Sequence, residues 1–256
     1  MLKNLPNDKA PGLDAIPNRL LERCRSLELP LATLFTACLR TNYHPRAFKV
    51  SHTIVLRKPQ KPSYNTPKAY RPIALLNTIG KVLEKIVANR LSALAERENL
   101  LPDSQMGARP HRSTLSAMEL LTEQVKTIWH NDKEKVATLL SLDIAGAFDN
   151  VSHPRLLHNL RAKGIPEWTV LFIQSFLSDR TTHMILGNYT SPQMAVDTGI
   201  LQGSTLSPIL FLLFIGTLLP LLHERNVSAG SFVDDTNILT WSDSTEVNCR
   251  TLERVH

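Results

Sequence analysis

Phe232-Val233-Asp234-Asp235-Thr236-Asn237-Ile238-Leu239 sets two adjacent carboxylates between apolar runs. That is the pattern of a chain turning back on itself with both acids at the tip of a hairpin. Far upstream, Val136 to Leu142 is a short, mostly apolar run that ends on Asp143, as a buried strand does when it delivers a carboxylate to a sheet edge. A carboxylate at a buried strand end needs a neutralising partner. Two or three of them converging from separate strands make the hard, oxygen-rich site that Mg²⁺ prefers. The competing reading takes Asp234-Asp235 as a type I′ turn dipeptide and Asp143 as a strand-end cap, and for an isolated acidic pair it is the commoner one.

Between these acids, Gln202-Gly203-Ser204 precedes an apolar helix that begins at Ser207. A glutamine amide and exposed backbone N–H groups at that point suit a phosphate-bearing ligand. The apolar stretch Ile209 to Leu222 would span about 21 Å as a helix, short of the roughly 30 Å hydrocarbon core of a membrane, and Gly216, Thr217 and Pro220 interrupt it. It reads as a core helix, and no membrane partner is expected. A helix is expected from Ser152 to Gly164, and short strands over His183 to Leu186 and Gln193 to Val196. Upstream, helical spacing covers Asn18 to Leu27, Leu31 to Leu39, Lys81 to Leu94 and Ser113 to Trp129, with Pro30 as a breaker between the first two and a strand over Ser51 to Leu56.

The 256 residues carry 29 Lys plus Arg and 23 Asp plus Glu, a net charge of +6. Hydrophobic residues at 43% and charged residues at 20% exclude disordered, collagen-like and disulfide-scaffold classes. Three scattered cysteines without CxxC spacing argue against a zinc site and point to a reducing, intracellular compartment. Met1 to Ala10 has no apolar core of leader length. The charge is concentrated: Arg40 to Arg112 holds 14 basic and 4 acidic residues, a local +10, whereas the remainder holds 15 against 19. A basic amino-terminal half beside a carboxylate-bearing half suggests a polyanion-binding surface next to a metal site.

Asp143-Ile144-Ala145-Gly146-Ala147-Phe148-Asp149, Gln202-Gly203-Ser204-Thr205-Leu206-Ser207-Pro208 and Phe232-Val233-Asp234-Asp235 occur in the order and rough spacing of the reverse transcriptase palm motifs. The segment Val151 to Arg180, with Trp168 and Ser175-Phe176-Leu177, resembles the version found in non-long-terminal-repeat (LINE-type) retrotransposon enzymes. Lys9 to Pro17, Tyr70-Arg71-Pro72-Ile73-Ala74-Leu75-Leu76 and Gln105-Met106-Gly107-Ala108-Arg109-Pro110-His111-Arg112-Ser113-Thr114 match the fingers of that group.

The resemblance implies an α+β right-hand polymerase fold: mostly helical, basic fingers with palm-supporting helices over about residues 1–135 and, over about 136–256, a palm core whose antiparallel sheet is backed by helices, the fingers and palm interleaving in sequence. It implies catalytic and metal-holding roles for Asp143, Asp234 and Asp235, with the Ile144 carbonyl as a further ligand of two Mg²⁺ ions that Mn²⁺ can replace. Lys58 and Arg71 would close over a triphosphate, Phe148 would exclude a 2′-hydroxyl, and Gln202 and Gly203 would meet the incoming nucleotide. Arg109 and Arg112 would touch the template. The implied partners are an RNA template, a DNA primer and dNTPs, in the nucleus or an element ribonucleoprotein. Val233 replaces the alanine usual before the Asp pair, expected as a tolerated change at a packed strand position. The chain, ending at His256, is expected to stop short of a thumb and to lack an endonuclease. That leaves the fingers and most of the palm of a larger polyprotein. An inactive nucleic-acid-binding remnant and a group II intron-type enzyme are the alternatives.

The local +10 generates a prediction. Neutralising several phosphates releases counterions, so filter-binding affinity for single-stranded RNA should fall about three-hundredfold or more between 50 and 200 mM salt if six or more phosphates are contacted. Salt-insensitive binding would contradict the basic-surface reading.

Overall fold

The computed structural model describes residues 5–6, 9–225 and 227–255, so part of the stretch from Met1 to Ala10 lies outside the described residues. Helices α1 (Asn18–Arg23) and α2 (Glu28–Arg40) are separated at Cys24 and a 3₁₀ turn over Arg25–Leu27, not at Pro30. Pro30 sits in the first turn of α2, where an absent N–H loses no intrahelical bond. Strands β1 (Val50–Arg57) and β2 (Tyr70–Leu75) follow, then α3 (Thr78–Arg97), α4 (Thr114–Asn131) and β3 (Val136–Leu142). The Ser113 hydroxyl caps α4 by accepting the Ser116 N–H. Helix α5 (His153–Ala162) begins after the Ser152 cap and is closed by Gly164 at φ +74°. Next come α6 (Glu167–Leu177), β4 (Thr181–Leu186), β5 (Tyr189–Thr190) and β6 (Met194–Ala195). The apolar run after Ser207 is two helices, α7 (Ser207–Ile215) and α8 (Leu218–His223), broken at Gly216-Thr217. The chain closes with β7 (Ser228–Phe232), β8 (Asp235–Ser242) and α9 (Thr245–Val255). Among the described residues no helix is long and apolar enough to cross a membrane.

The packing divides the described residues into two compact units that alternate along the sequence. One compact unit comprises the residues up to Arg90 together with Phe148–Ser207, and the other comprises Leu91–Ala147 together with those from Pro208 onward. Strand pairing is the reason: β4 joins β1 in parallel, with Val50 opposite Thr181 and Ile54 opposite Ile185, which draws the segment after Phe148 back to the amino-terminal unit. That unit holds a five-stranded sheet in the order β2-β1-β4-β5, with β6 on β4.

The second unit carries an antiparallel sheet in the order β3-β8-β7. Leu219, Leu222, Val227, Ala229, Ile238 and Leu252 form its core, and Leu140 and Leu142 of β3 pack against them. Strand β3 is an edge strand, not the buried strand its apolar composition suggests: Leu139 is 45% exposed. The period-two pleat turns Leu140 and Leu142 inward and leaves the alternate residues outside.

In the first unit, His44 is wholly buried among Phe48, Phe172 and Phe176, whose rings stand edge-on with centroids 5.3 to 5.9 Å away. Neither ring nitrogen has a hydrogen-bond partner among the described residues. Burial, reinforced by the charges of Arg180 and Lys49, pushes its pKa down from 6.5 to about 3. The folded protein therefore resists protonation that the unfolded chain accepts near pH 6.5. Stability from this site is complete above that pH and is lost as pH falls toward about 3, by a total on the order of 4 kcal/mol. His44→Phe should remove this slope between pH 6.5 and 4 while remaining folded, as read by urea denaturation. Equal slopes in the two proteins would contradict the assignment.

Candidate active site

In the second unit, the β3–β8 ladder pairs Leu140 with Ile238 and Leu142 with Thr236. One further step of that register sets Asp143 level with Asp235, the first residue of β8. Phe232 pairs with Asp235, so the hairpin turn consists of Val233 and Asp234. Val233 has φ +60° and Asp234 does not share it, the pattern of a type II′ turn. The turn dipeptide is therefore not Asp234-Asp235, and Val233 is a turn residue, not a packed strand residue.

Asp143 and Asp235 are exposed and Asp234 is half-buried. Their carboxylates take part in no ion pair or hydrogen bond among the described residues. The expectation that they are buried is corrected, because they stand at the open end of a three-stranded sheet. Among the described residues no group of three or more His, Cys, Asp or Glu side chains is gathered to hold a metal ion. The register aligns Asp143 with Asp235, and Asp234 precedes Asp235 in the turn. The donor set itself, all-oxygen, anionic and unneutralised, fits a hard divalent cation.

The first unit brings a second set of residues together. Phe148 accepts the Ile200 N–H through its carbonyl at 2.8 Å, and Gly199 N–H donates to Val151 at 2.9 Å, which joins residues 148–151 to 199–202. The Gln202 amide donates to both carboxylate oxygens of Asp149 at 3.2 and 3.3 Å, so its side chain is engaged within the protein. The Gln202 carbonyl accepts the Ala74 N–H of β2 at 2.7 Å. Gly203, at φ +124°, lies so close to β2 that an added Cβ would fall 2.3 Å from the Ala74 carbonyl oxygen. Ser204 donates through its hydroxyl to Glu84 at 2.6 Å. Burial pushes the Glu84 carboxyl up, opposed by the nearby Arg180 guanidinium.

Arg71, exposed on β2, and Lys58, half-buried at the start of the basic loop, carry no carboxylate partner among the described residues. Arg109 differs. Its guanidinium is buried, grips Glu96 with two bonds of 2.7 Å, and donates to the carbonyls of Pro102 and Gln105. This arginine ties its own loop together. The pair holds the Glu96 carboxyl below its usual range. Arg112 reaches the carboxylate and the carbonyl of the exposed Asp103. Asp149 and Gln105 belong to the motifs quoted above, yet the sequence assigns neither of them, nor Glu84, a role; the fold supplies their partners.

The profile of the family described as reverse transcriptase (RNA-dependent DNA polymerase) matches residues 56–255. A "Probable RNA-directed DNA polymerase from transposon BS" of Drosophila melanogaster is 30% identical over 259 residues, covering 98% of this chain and 28% of the relative. The "RNA-directed DNA polymerase from mobile element jockey" of the same organism is 31% identical over 250 residues, covering 95% of this chain and 27% of the relative. The chain thus spans little more than a quarter of the length of these relatives. Among solved structures, apo telomerase from Candida Tropicalis, truncated from its C-terminal domain, is similar with TM-score 0.57 and 12% identity. That likeness covers 90% of this chain and 51% of the telomerase, and it concerns the fold, a right-hand polymerase.

Gly203→Ala should destabilise the protein by about 1–3 kcal/mol in urea denaturation, because it adds strain at positive φ to a collision with backbone. Gly187→Ala, at φ +58° with open space around it, should cost about 1–2 kcal/mol or less. A smaller effect at Gly203 than at Gly187 would contradict the close approach to β2.

Proposed function

This chain belongs to the reverse transcriptase (RNA-dependent DNA polymerase) family, in the group of the LINE-type retrotransposons, and we propose that it supplies the nucleotidyl-transfer centre of an RNA-directed DNA polymerase. The observation that supports this best is the open sheet end where Asp143 is level with Asp235, beside Asp234, with no cation to neutralise them. Reverse transcriptases generally use divalent metal ions. Here Asp143, Asp234 and Asp235, with the Ile144 carbonyl, would hold two Mg²⁺ ions, or Mn²⁺ in their place. When bound, such ions neutralise charge on the oxygens of a phosphoryl transfer.

The chain's own residues supply binding and orientation. Arg71 and Lys58, both without a carboxylate partner, would hold the triphosphate of a dNTP. Phe148 would press under the sugar and exclude a 2′-hydroxyl. Gln202, bonded to Asp149, would shape the nucleotide floor through its backbone and Gly203. Arg112 remains a template contact, reached by exchanging the exposed Asp103 for a phosphate. The partners are an RNA template, a DNA primer and the rest of a longer polyprotein, working inside the cell in the nucleus or an element ribonucleoprotein. One observation favours a second reading, a binding remnant without turnover: among the described residues the acids are not gathered into a three-ligand group.

Primer extension on an RNA template in Mg²⁺ separates the two. On the first reading Asp234→Asn should reduce extension by at least about a hundredfold while RNA binding persists. Phe148→Ala should raise ribonucleotide incorporation. Extension unaffected by Asp234→Asn would contradict the catalytic assignment, and RNA binding without extension by the natural sequence would establish the second reading.

A further inference from the structure

Val233 opens the turn between β7 and β8 at φ +60°. For a β-branched residue this backbone costs about 1–3 kcal/mol and persists only where its surroundings over-determine it. Those surroundings are the loop from Ser104 to Arg109. Its backbone lies parallel to β7: Met106 N–H donates to the Ser231 carbonyl at 2.7 Å, and Ser231 N–H donates to the Ser104 carbonyl at 2.9 Å.

The Gln105 side chain, with no exposed surface, bridges from this loop to the turn. Its Oε1 accepts from the Ser231 hydroxyl at 2.7 Å, and its Nε2 donates to the Val233 carbonyl at 3.4 Å. That carbonyl belongs to the peptide unit joining Val233 to Asp234. Gly107 completes the contact, since an added Cβ would fall 2.4 Å from Val233 Cγ2 and 2.7 Å from the Val233 nitrogen. The loop is itself held by Arg109, which donates to the Gln105 carbonyl at 3.1 Å while paired with Glu96.

We infer that Gln105 is a positioning residue for Asp234: it fixes the Val233–Asp234 peptide unit from behind, and the Arg109–Glu96 pair fixes Gln105 in turn. The functional part of this inference rests on the reading of Asp234 as a metal-holding group. Removing the Nε2 donor frees the strained turn to relax, and Asp234 moves with it. A glycine at 233 tolerates positive φ unaided, so the clamp becomes dispensable.

The test compares the natural protein with Gln105→Leu, Val233→Gly and the double variant, using amide hydrogen exchange and Mn²⁺ binding by electron paramagnetic resonance. Gln105→Leu should speed exchange at Phe232 and Asp235, which close the turn, and weaken Mn²⁺ binding, each by about tenfold, the equivalent of one hydrogen bond. The double variant should recover Mn²⁺ affinity to within about threefold, which a merely structural role for Gln105 would not allow. If Gln105→Leu fails to fold, Gln105→Glu keeps the acceptor, lacks the donor and should loosen the turn likewise. Unchanged exchange at the turn in Gln105→Leu or Gln105→Glu, or no recovery on adding Val233→Gly, would overturn the inference. Asp234→Asn separates the two levels: if it leaves Mn²⁺ binding unaltered, the metal-holding reading fails, while exchange at the turn still decides whether Gln105 is a clamp.

Discussion

The carboxylate end of the second unit depends on the antiparallel register between β3 and β8. Because side chains alternate with a period of two, a slip of one residue would send Leu140 and Leu142 to solvent and break the alignment of Asp143 with Asp235. Burial prevents that slip. Leu140, Leu142 and Ile238 pack into one cluster with Leu219, Leu222 and Leu252, at about 25 cal/mol per Å² of apolar surface removed from water. The acidic end contributes nothing comparable, since among the described residues its carboxylates have no ion-pair partner. Apolar packing thus holds the register that keeps Asp143 level with Asp235.

The first unit uses a different device. Polar side chains, not a continuous ladder, hold the Gln202–Ser204 loop: exposed Asp149 accepts the Gln202 amide, and buried Glu84 accepts the Ser204 hydroxyl. Glu84 and Arg180 are both buried, and desolvation works against the charge of each while their mutual attraction supports it. Burial lowers the Arg180 pKa to about 10, so the guanidinium stays charged at neutral pH. Two of its nitrogens donate to the carbonyls of Phe176 and Phe48, which ties the end of α6 to the approach to β1. Such networks fix one arrangement more than they add stability, because losing one partner leaves the other charge buried and unpaired.

Much of this was legible in the sequence. Spacing gives the helices, the short apolar run of residues 136–142 gives β3, and the Asp-bearing hairpin follows from two acids between apolar runs. What the sequence hides is who partners whom. Arg109 reads as one more cation in a basic stretch, and only the fold reveals that Glu96, a turn back on α3, saturates it. Gln202 reads as a free amide until Asp149 is folded against it. Apolar composition marks Val136–Leu142 as buried although it pairs on one side only, since composition reports average environment and not position in a sheet. The limits of the two units are hidden for a similar reason: β4 returns to β1 across a long stretch of sequence, and no local pattern announces a non-local parallel pairing. Val233 illustrates the remaining difficulty. A β-branched residue argues for strand, and tertiary contacts with Gln105 and Gly107 override that preference.

The central claim, that the open end of the β3-β8-β7 sheet is a divalent-cation site, is tested most directly by Fe²⁺-mediated backbone cleavage. Fe²⁺ substituted for Mg²⁺ generates hydroxyl radicals that cut the chain next to the bound ion. The account predicts cuts on both sides of the ladder, near Asp143 and near Val233 to Asp235, suppressed by excess Mg²⁺. Cleavage elsewhere, or at one of these segments without the other, would contradict it.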